Sequence, residues 1–321
     1  MRKNFVYILL LLPMFESCSI FYEAIGNSVT VFESPNEVNN KPEHLFLDSA
    51  SLAVTWIGHS SLLIQIDDKL ILTDPIFTET IGIFSKRLVE PGVDIEKIPF
   101  LNLTLISHPH IDHLSLGSLE MIDEKFPQTH LVFPSGVENF LPDYSFQLHR
   151  LSNNNGYWNT NPFGDSVTAD GIKVTAVTAH HWGGRYGLDG FLWGDASYTG
   201  YIIQYHDKCI YFGGDTGYDS TAFKTIGKGY NIDVAFIPIG PCADCKGCGN
   251  VRHVFPEGAI KIFLDLNAKL MIPIHYGVFQ FRLTDVNEPL YAFKKLVNEY
   301  KITEKVKVLE IGEQVIINPI H

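Results

Sequence analysis

His108-Pro109-His110-Ile111-Asp112-His113 places three imidazoles and a carboxylate within six residues, one residue after the largely apolar run Leu103-Thr104-Leu105-Ile106. Polar groups at that density beside a buried strand need partners that offset their desolvation, and metal coordination is the economical one. A hydrogen-bonded, His-rich surface loop is the plainer account, but it does not explain why the string begins where an apolar run stops. The same habit recurs down the chain. Val174 to Ala179 runs into His180-His181-Trp182, Cys209 to Phe212 into Gly213-Gly214-Asp215-Thr216, and Leu270 to Ile274 into His275-Tyr276-Gly277. One strand-end His or Asp is as easily a turn cap. Three in series with the first string point to a single rim where strand ends converge.

The body that carries this rim is large and ordered. With 321 residues, 45% hydrophobic, 12% aromatic and 19% charged, the chain buries a sizeable core and is too apolar for disorder. The formal net charge is −12 and no stretch is basic enough to follow a phosphate backbone, so nucleic acid is excluded as a partner.

The first residues read as an export signal. Met1-Arg2-Lys3-Asn4 is a positive head, Phe5 to Phe15 is an apolar run too short for a mature membrane span, and Ser17-Cys18 follows. The placement of Cys18 resembles a bacterial lipoprotein signal, although Phe15 and Glu16 depart from its usual residues. An ordinary signal peptide and an uncleaved anchor are the other readings. Loss of residues 1–17 leaves 22 basic against 35 acidic residues. The chain is therefore expected in the bacterial cell envelope, as a lipoprotein associated with the membrane through its N-terminus. Residues 1–18 are the signal, 19–50 a polar tether and wrapping arm, and 51–321 the folded domain.

Within that domain the runs Leu52 to Ile57, Ser61 to Ile66 and Lys69 to Thr73 read as hairpin strands. Further strands are expected at Leu103 to Ile106, Thr129 to Phe133, Val174 to Ala179, Tyr198 to Tyr205, Cys209 to Phe212, Val234 to Pro238, Leu270 to Pro273, Val306 to Ile311 and Gln314 to Ile317. Helical spacing appears at Leu116 to Lys125, Pro256 to Leu266 and Glu288 to Tyr300. The pattern predicts an α+β fold with two facing sheets and helices outside.

The motifs Thr55-Trp56-Ile57-Gly58-His59-Ser60, Leu72-Thr73-Asp74-Pro75, Pro91-Gly92, Ser107 with HPHIDH, His181-Trp182-Gly183-Gly184-Arg185, Gly214-Asp215-Thr216-Gly217-Tyr218, Ile237-Pro238-Ile239-Gly240, His253 with Pro256-Glu257, and Ile274-His275-Tyr276-Gly277 resemble the metallo-β-lactamase fold superfamily of hydrolases. Within it they are most similar to the branch of N-acylphosphatidylethanolamine-hydrolysing phospholipase D. The resemblance covers about residues 50–320 and implies a four-layer αββα sandwich.

It also implies two zinc ions, with iron or manganese as alternatives. His108, His110 and His181 would hold one, Asp112, His113 and His275 the other, and Asp215 would bridge them. His181 is preferred to His180 because it directly precedes an aromatic, Trp182; His180 would stand behind it. Asp74 would grip a ligating imidazole by its far nitrogen, and His253 would join Asp112 as a catalytic group by orienting or protonating the leaving group. Two divalent ions, two carboxylates and a bridging hydroxide sum to a positive centre that attracts an anion.

The resemblance therefore implies a phosphodiesterase acting on N-acylphosphatidylethanolamine-like lipids. Its partner would be a phospholipid or another small anionic substrate. Hydrolysis of a lactone, thioester or β-lactam at the same centre is the alternative, and a non-catalytic metal-binding surface protein a third. Cys242, Cys245 and Cys248 form an inserted C-x-x-C-x-x-C string. With Cys209, it reads as disulfides or free thiols in an exported protein rather than a metal cluster.

Overall fold

A computed structural model describes residues 34–81, 85–153, 161–185, 197–242, 244–280 and 285–318. The signal segment, Cys18 and the start of the tether lie outside them. No described helix is long and apolar enough to cross a membrane.

The chain opens with a meander, β1 (Leu52–Gly58), β2 (Ser61–Ile66) and β3 (Lys69–Thr73), followed by the short pair β4 (Thr80–Ile81) and β5 (Ser85–Lys86). Then come β6 (Leu103–Leu105), helix α1 (Leu116–Lys125), β7 (His130–Pro134) and β8 (Gln147–Leu151). The second half runs β9 (Phe163–Ala169), β10 (Ile172–Val177), β11 (Gly200–Tyr205), β12 (Lys208–Phe212), α2 (Ser220–Gly229), β13 (Val234–Pro238), α3 (Pro256–Leu266), β14 (Leu270–Ile274), α4 (Glu288–Glu299) and β15 (Gln314–Ile316). One sheet has the order β15-β1-β2-β3-β6-β7-β8 and the other β14-β13-β12-β11-β10-β9.

The side-chain alternation of the strands builds the layers. Leu62, Ile64 and Ile66 of β2 and Ile71 of β3 enter the cluster shared with Tyr201, Ile203 and Val174 of the other sheet. Their neighbours Leu63, Leu70 and Leu72 face the opposite way, into a second cluster with Leu119 and Ile122 of α1. Phe223, Ile260, Phe263 and Phe293 bring α2, α3 and α4 against the outer face of the second sheet. The result is the four-layer αββα sandwich. Tyr201 Oη donates to the Ile106 carbonyl at 2.8 Å, and Thr199 N to the Ser107 carbonyl at 3.0 Å, tying the two sheets together where the metal-type string begins.

Residues of the arm lie against this body. Leu45 is buried, the Leu47 backbone exchanges two hydrogen bonds with the Gln65 amide, and Lys41 Nζ pairs with Asp94 at 2.8 Å.

The expected strand at Val306–Ile311 does not form. Val306 makes a single bridge to Met271 of β14, and Lys307 N donates to the Met271 carbonyl. The chain is there leaving the second sheet to place β15 beside β1 of the first, so it cannot stay laddered to either. Besides the two-residue strands β4 and β5, three elements lack an expected counterpart. β8 and β9 are edge strands with largely exposed or half-buried residues, so neither shows an apolar run. In α2 the described buried residues are Phe223 and Ile226, and Asp219 caps it by accepting from Thr221 N and Ala222 N.

Candidate metal centre

β6 and β7 run parallel to β3, and β12, β13 and β14 run parallel to one another, so the ends of β3, β6, β12 and β14 share one rim. The β1–β2 turn and the end of β10 join it, because each strand lies antiparallel to its neighbour. Asp74, the string His108 to His113, His181, Asp215, His275 and His59 all follow these strand ends. Three of them hold positive φ angles: His59 at 55°, Asp74 at 35° and His275 at 66°. Non-glycine residues in that region are strained, and such strain concentrates where side chains must be aimed. Gly214, at φ 54°, precedes Asp215; a Cβ there would stand 2.6 Å from Ser107 Cβ and push the two halves of the rim apart.

The side chains gather into two donor groups. In the first, His110 Nδ1 lies 2.9 Å from His108 Nε2 and 3.1 Å from His181 Nε2. In the second, His275 Nε2 stands 3.7 Å from Asp112 Oδ2 and 3.2 Å from Asp215 Oδ1, and His113 Nε2 stands 3.7 and 3.5 Å from the same two oxygens. The other Asp215 oxygen, Oδ2, faces His181 Nε2 at 3.9 Å and His253 Nε2 at 3.3 Å. One donor atom from each of His108, His110 and His181, and one from each of His59, Asp112, His113 and His275, lie within 4.8 Å of one another in their respective groups.

The far ring nitrogens decide the tautomers. His181 Nδ1 lies 2.9 Å from the Arg252 carbonyl, which can only accept, so that nitrogen carries the proton and Nε2 presents a lone pair. His113 Nδ1 lies 2.7 Å from Asp74 Oδ2, with the same consequence. Asp74 also accepts from Ser107 N at 2.7 Å and Ser107 Oγ at 2.6 Å; with its hydrogen committed there, Ser107 Oγ accepts from His108 Nδ1 at 2.9 Å. Lone pairs on His108 Nε2 and His181 Nε2 therefore converge on His110 Nδ1, which has at most one proton to share between them. His113 Nε2 and Asp215 Oδ1 are buried without a hydrogen bond. A cation in each group satisfies all of these atoms, so the residues fit the metals the sequence implies.

Electrostatics separates the two groups. Burial holds the His108 and His181 imidazoles well below the ordinary range, and lowers His110 to about 4. Burial also opposes ionisation of Asp112 and Asp215, but the surrounding imidazoles, foremost His113 and His275, overcome it and hold both carboxyls far down. The same attraction outweighs burial at His275, raised to about 9, and lifts His113. Two ionised carboxylates in a dry pocket favour positive charge here, whether as a proton on each ring or, in the proton's place, a cation held by the ring's lone pair.

The remaining candidates stand around this core. Asp74 is fully buried beneath it. His253 sits at the mouth with its side chain 19% exposed. His180 donates its backbone N–H to Thr216 Oγ1, while its ring, 38% exposed, turns to Asp219 at 3.2 Å. Two contributors had no assigned role in the sequence. Arg185 Nη1 donates to the carbonyls of Pro109 and Leu114, clamping the HPHIDH loop from both ends. His59 is buried with its Nε2 3.1 Å from Asp112 Oδ2, and its burial lowers it to about 3. Its signal was the one used elsewhere, a histidine where an apolar strand stops. Cys242 and Cys245 form a disulfide, leaving Cys209 and Cys248 as thiols among the described cysteines, the latter accepting from Lys261 Nζ at 3.0 Å. Among the described residues, no cysteine joins a metal-ligating group.

A family model described as the beta-lactamase superfamily domain matches residues 69–276. An uncharacterised protein of Mycobacterium tuberculosis is 30% identical over 76% of this chain; the match spans 63% of that relative's length. N-acyl-phosphatidylethanolamine-hydrolyzing phospholipase D 1 of Caenorhabditis elegans is 27% identical over 91% of this chain and 83% of its own. Among solved structures, the metallo hydrolase Igni18 of Ignicoccus hospitalis superposes with a TM-score of 0.58 at 22% identity, covering 82% of this chain and 97% of Igni18. With the fold, the converging His/Asp cluster and the matched segment taken together, the chain belongs to the metallo-β-lactamase superfamily of metal-dependent hydrolases.

Proposed function

We propose that the protein is a phosphodiesterase of phospholipase D type that acts on N-acylphosphatidylethanolamine-like lipids with two zinc ions. The observation that carries the two-ion centre of this reading is Asp215. Its Oδ1 faces His113 and His275 and its Oδ2 faces His181 and His253, the disposition of a carboxylate shared between two ions. His108, His110 and His181 hold one ion in this reading, and Asp112, His113 and His275 the other. The ions, when bound, supply Lewis acidity and acidify water.

The protein's own groups do the rest. Asp74 and Ser107 keep the ligating tautomers of His113 and His108. In hydrolysis a water oxygen bonds to phosphorus as the bond to the headgroup oxygen breaks, and the departing oxygen must gain a proton. His253, at the mouth and next to Asp215, is the group that orients or protonates it. A lipid substrate is supported by the worm relative's name and by the cavity beside His59 and His275. Pro241, Phe279, Val286 and Pro289 supply its apolar wall.

The test is turnover of zinc-loaded protein on N-acylphosphatidylethanolamine vesicles, a soluble phosphodiester, a lactone and a β-lactam. Release of phosphatidic acid and N-acylethanolamine is expected. Faster turnover of the lactone or the β-lactam than of either phosphodiester overturns the assignment in favour of carboxyl-ester or amide hydrolysis. We also propose that Cys18 is lipidated and anchors the protein in the envelope membrane. Cys18→Ser should then release it into the soluble fraction or block its processing, and equal pelleting of both forms points to an uncleaved apolar segment instead.

A further inference from the structure

His59 occupies the tight turn between β1 and β2 in the left-handed region, at φ 55°, a conformation that side-chain-bearing residues rarely adopt. An asparagine or glycine would close that turn with less strain. The fold nevertheless fixes this histidine from several sides. Its carbonyl accepts from Trp56 Nε1 and from His275 N, each at 3.1 Å. The preceding Ile57 carbonyl accepts from the buried Arg87 guanidinium at 3.2 Å. A Cβ on Gly58 would come within 2.8 Å of that guanidinium, so the turn leaves no room to relax.

What this rigidity serves is the direction of the ring. His59 Nε2 stands 3.1 Å from Asp112 Oδ2, and the ring centroid lies 3.9 Å from that of His275. Asp112 belongs to neither a strand nor a helix; it rides on the loop between β6 and α1. Its Oδ2 is the oxygen that also lies 3.7 Å from both His113 Nε2 and His275 Nε2. An ionised carboxylate only accepts, so the His59 nitrogen facing it carries the hydrogen and has no lone pair for a metal. A carboxylate oxygen has two lone pairs, one for His59 and one directed between His113 and His275.

We infer that His59 is a positioning residue for the second donor group: it holds Asp112 by an Nε2–H···Oδ2 hydrogen bond and aims the other lone pair of that oxygen at the ion, without ligating the ion itself. The inference rests on reading Asp112, His113 and His275 as one ion's ligands.

The test is titration of metal-free full-length protein with Co²⁺, in competition with a chromophoric chelator, following the visible absorption of the bound ion. Wild type should bind two equivalents. His59→Ala should leave one equivalent unchanged, raise the dissociation constant of the other roughly 10–100-fold, and alter its absorption band. His59→Gln restores an N–H at nearly the same reach and should recover both affinity and band. A loss of metal through general destabilisation has no reason to be repaired by an amide, so the rescue separates positioning from mere structure. Should His59→Ala not fold, His59→Leu against His59→Gln carries the same comparison. Two outcomes overturn the inference while sparing the binuclear reading: unchanged binding in the Ala variant, or equal loss in Ala and Gln, which makes His59 a ligand or a structural residue. Uptake of a single Co²⁺ by wild type overturns the binuclear reading itself, and the inference with it.

Discussion

The two donor groups lie side by side on one rim yet differ in kind. The His108, His110 and His181 group is all imidazole. Its rings are kept neutral by burial, and two are steadied by uncharged oxygens, Ser107 Oγ and the Arg252 carbonyl. The Asp112, His113 and His275 group mixes nitrogen with an ionised oxygen, and the buried Asp74 grips His113 from behind. A nitrogen-only site and a mixed nitrogen and oxygen site rank metals differently. The comparison teaches that one pocket presents two chemically distinct groups of donors, and that Asp215 faces both.

Removing that common residue is the severest way to break the comparison. Asp215→Ala takes an oxygen from each group, so zinc content measured on purified protein should fall for both sites and turnover should drop by orders of magnitude. Two retained ions with near-normal turnover would show that the groups do not depend on a shared carboxylate. His181→Ala should be more selective, emptying the imidazole group while one ion remains with Asp112, His113 and His275. Metal analysis near one equivalent supports the division, and loss of both ions argues for a single cooperative site.

Asp74→Asn sharpens the contrast from beneath. Asp74 is fully buried and accepts from His113 Nδ1, Ser107 N and Ser107 Oγ. An amide offers one acceptor oxygen in place of two and sets an N–H against donors, so the metal-free protein should lose about 3–5 kcal/mol to chemical denaturation. Zinc affinity of the His113 group should fall about 10–100-fold. The His108 group feels the change only through Ser107, so its affinity should move less. Equal losses in the two groups would mean that the buried carboxylate supports the rim as a whole.

The legible parts of the sequence share one physical character. Strands buried on both faces, such as β1, β2 and β13, appear as mainly apolar runs, and the donors that follow them stand out by contrast. Edge strands do not. β8 (Gln147–Leu151) and β9 (Phe163–Ala169) each pair on one side only and expose polar residues, so composition cannot separate them from loop. α2 has too few buried positions to mark a helical stripe, and its surest sign is the Asp219 cap. Val306–Ile311 fails for the opposite reason: its apolar residues pack against the core while the chain changes sheets, so burial occurs without a ladder. His59 was legible in principle, since it too follows an apolar strand. Between two hairpin strands it is indistinguishable in sequence from a turn residue, and the 3.1 Å approach to Asp112 gives it a role.

The smallest expected effect lies at His180, one residue from His181, and it tests whether strand register or mere proximity assigns a residue to a donor group. A histidine standing behind a ligand loses about 10–100-fold in metal affinity or activity when removed. The His180 ring instead pairs with the Asp219 carboxylate at 3.2 Å, both side chains more than a third exposed. Its backbone N–H to Thr216 Oγ1 survives any substitution except proline. His180→Ala should therefore keep two ions and near-wild-type turnover. The cost should stay below about 1 kcal/mol, as for other solvent-screened pairs, and should register as a slight loss of thermal stability where Asp219 caps α2. Loss of an ion in His180→Ala, with retention in His181→Ala, would move the register after β10 by one residue and hand the ligand position to His180.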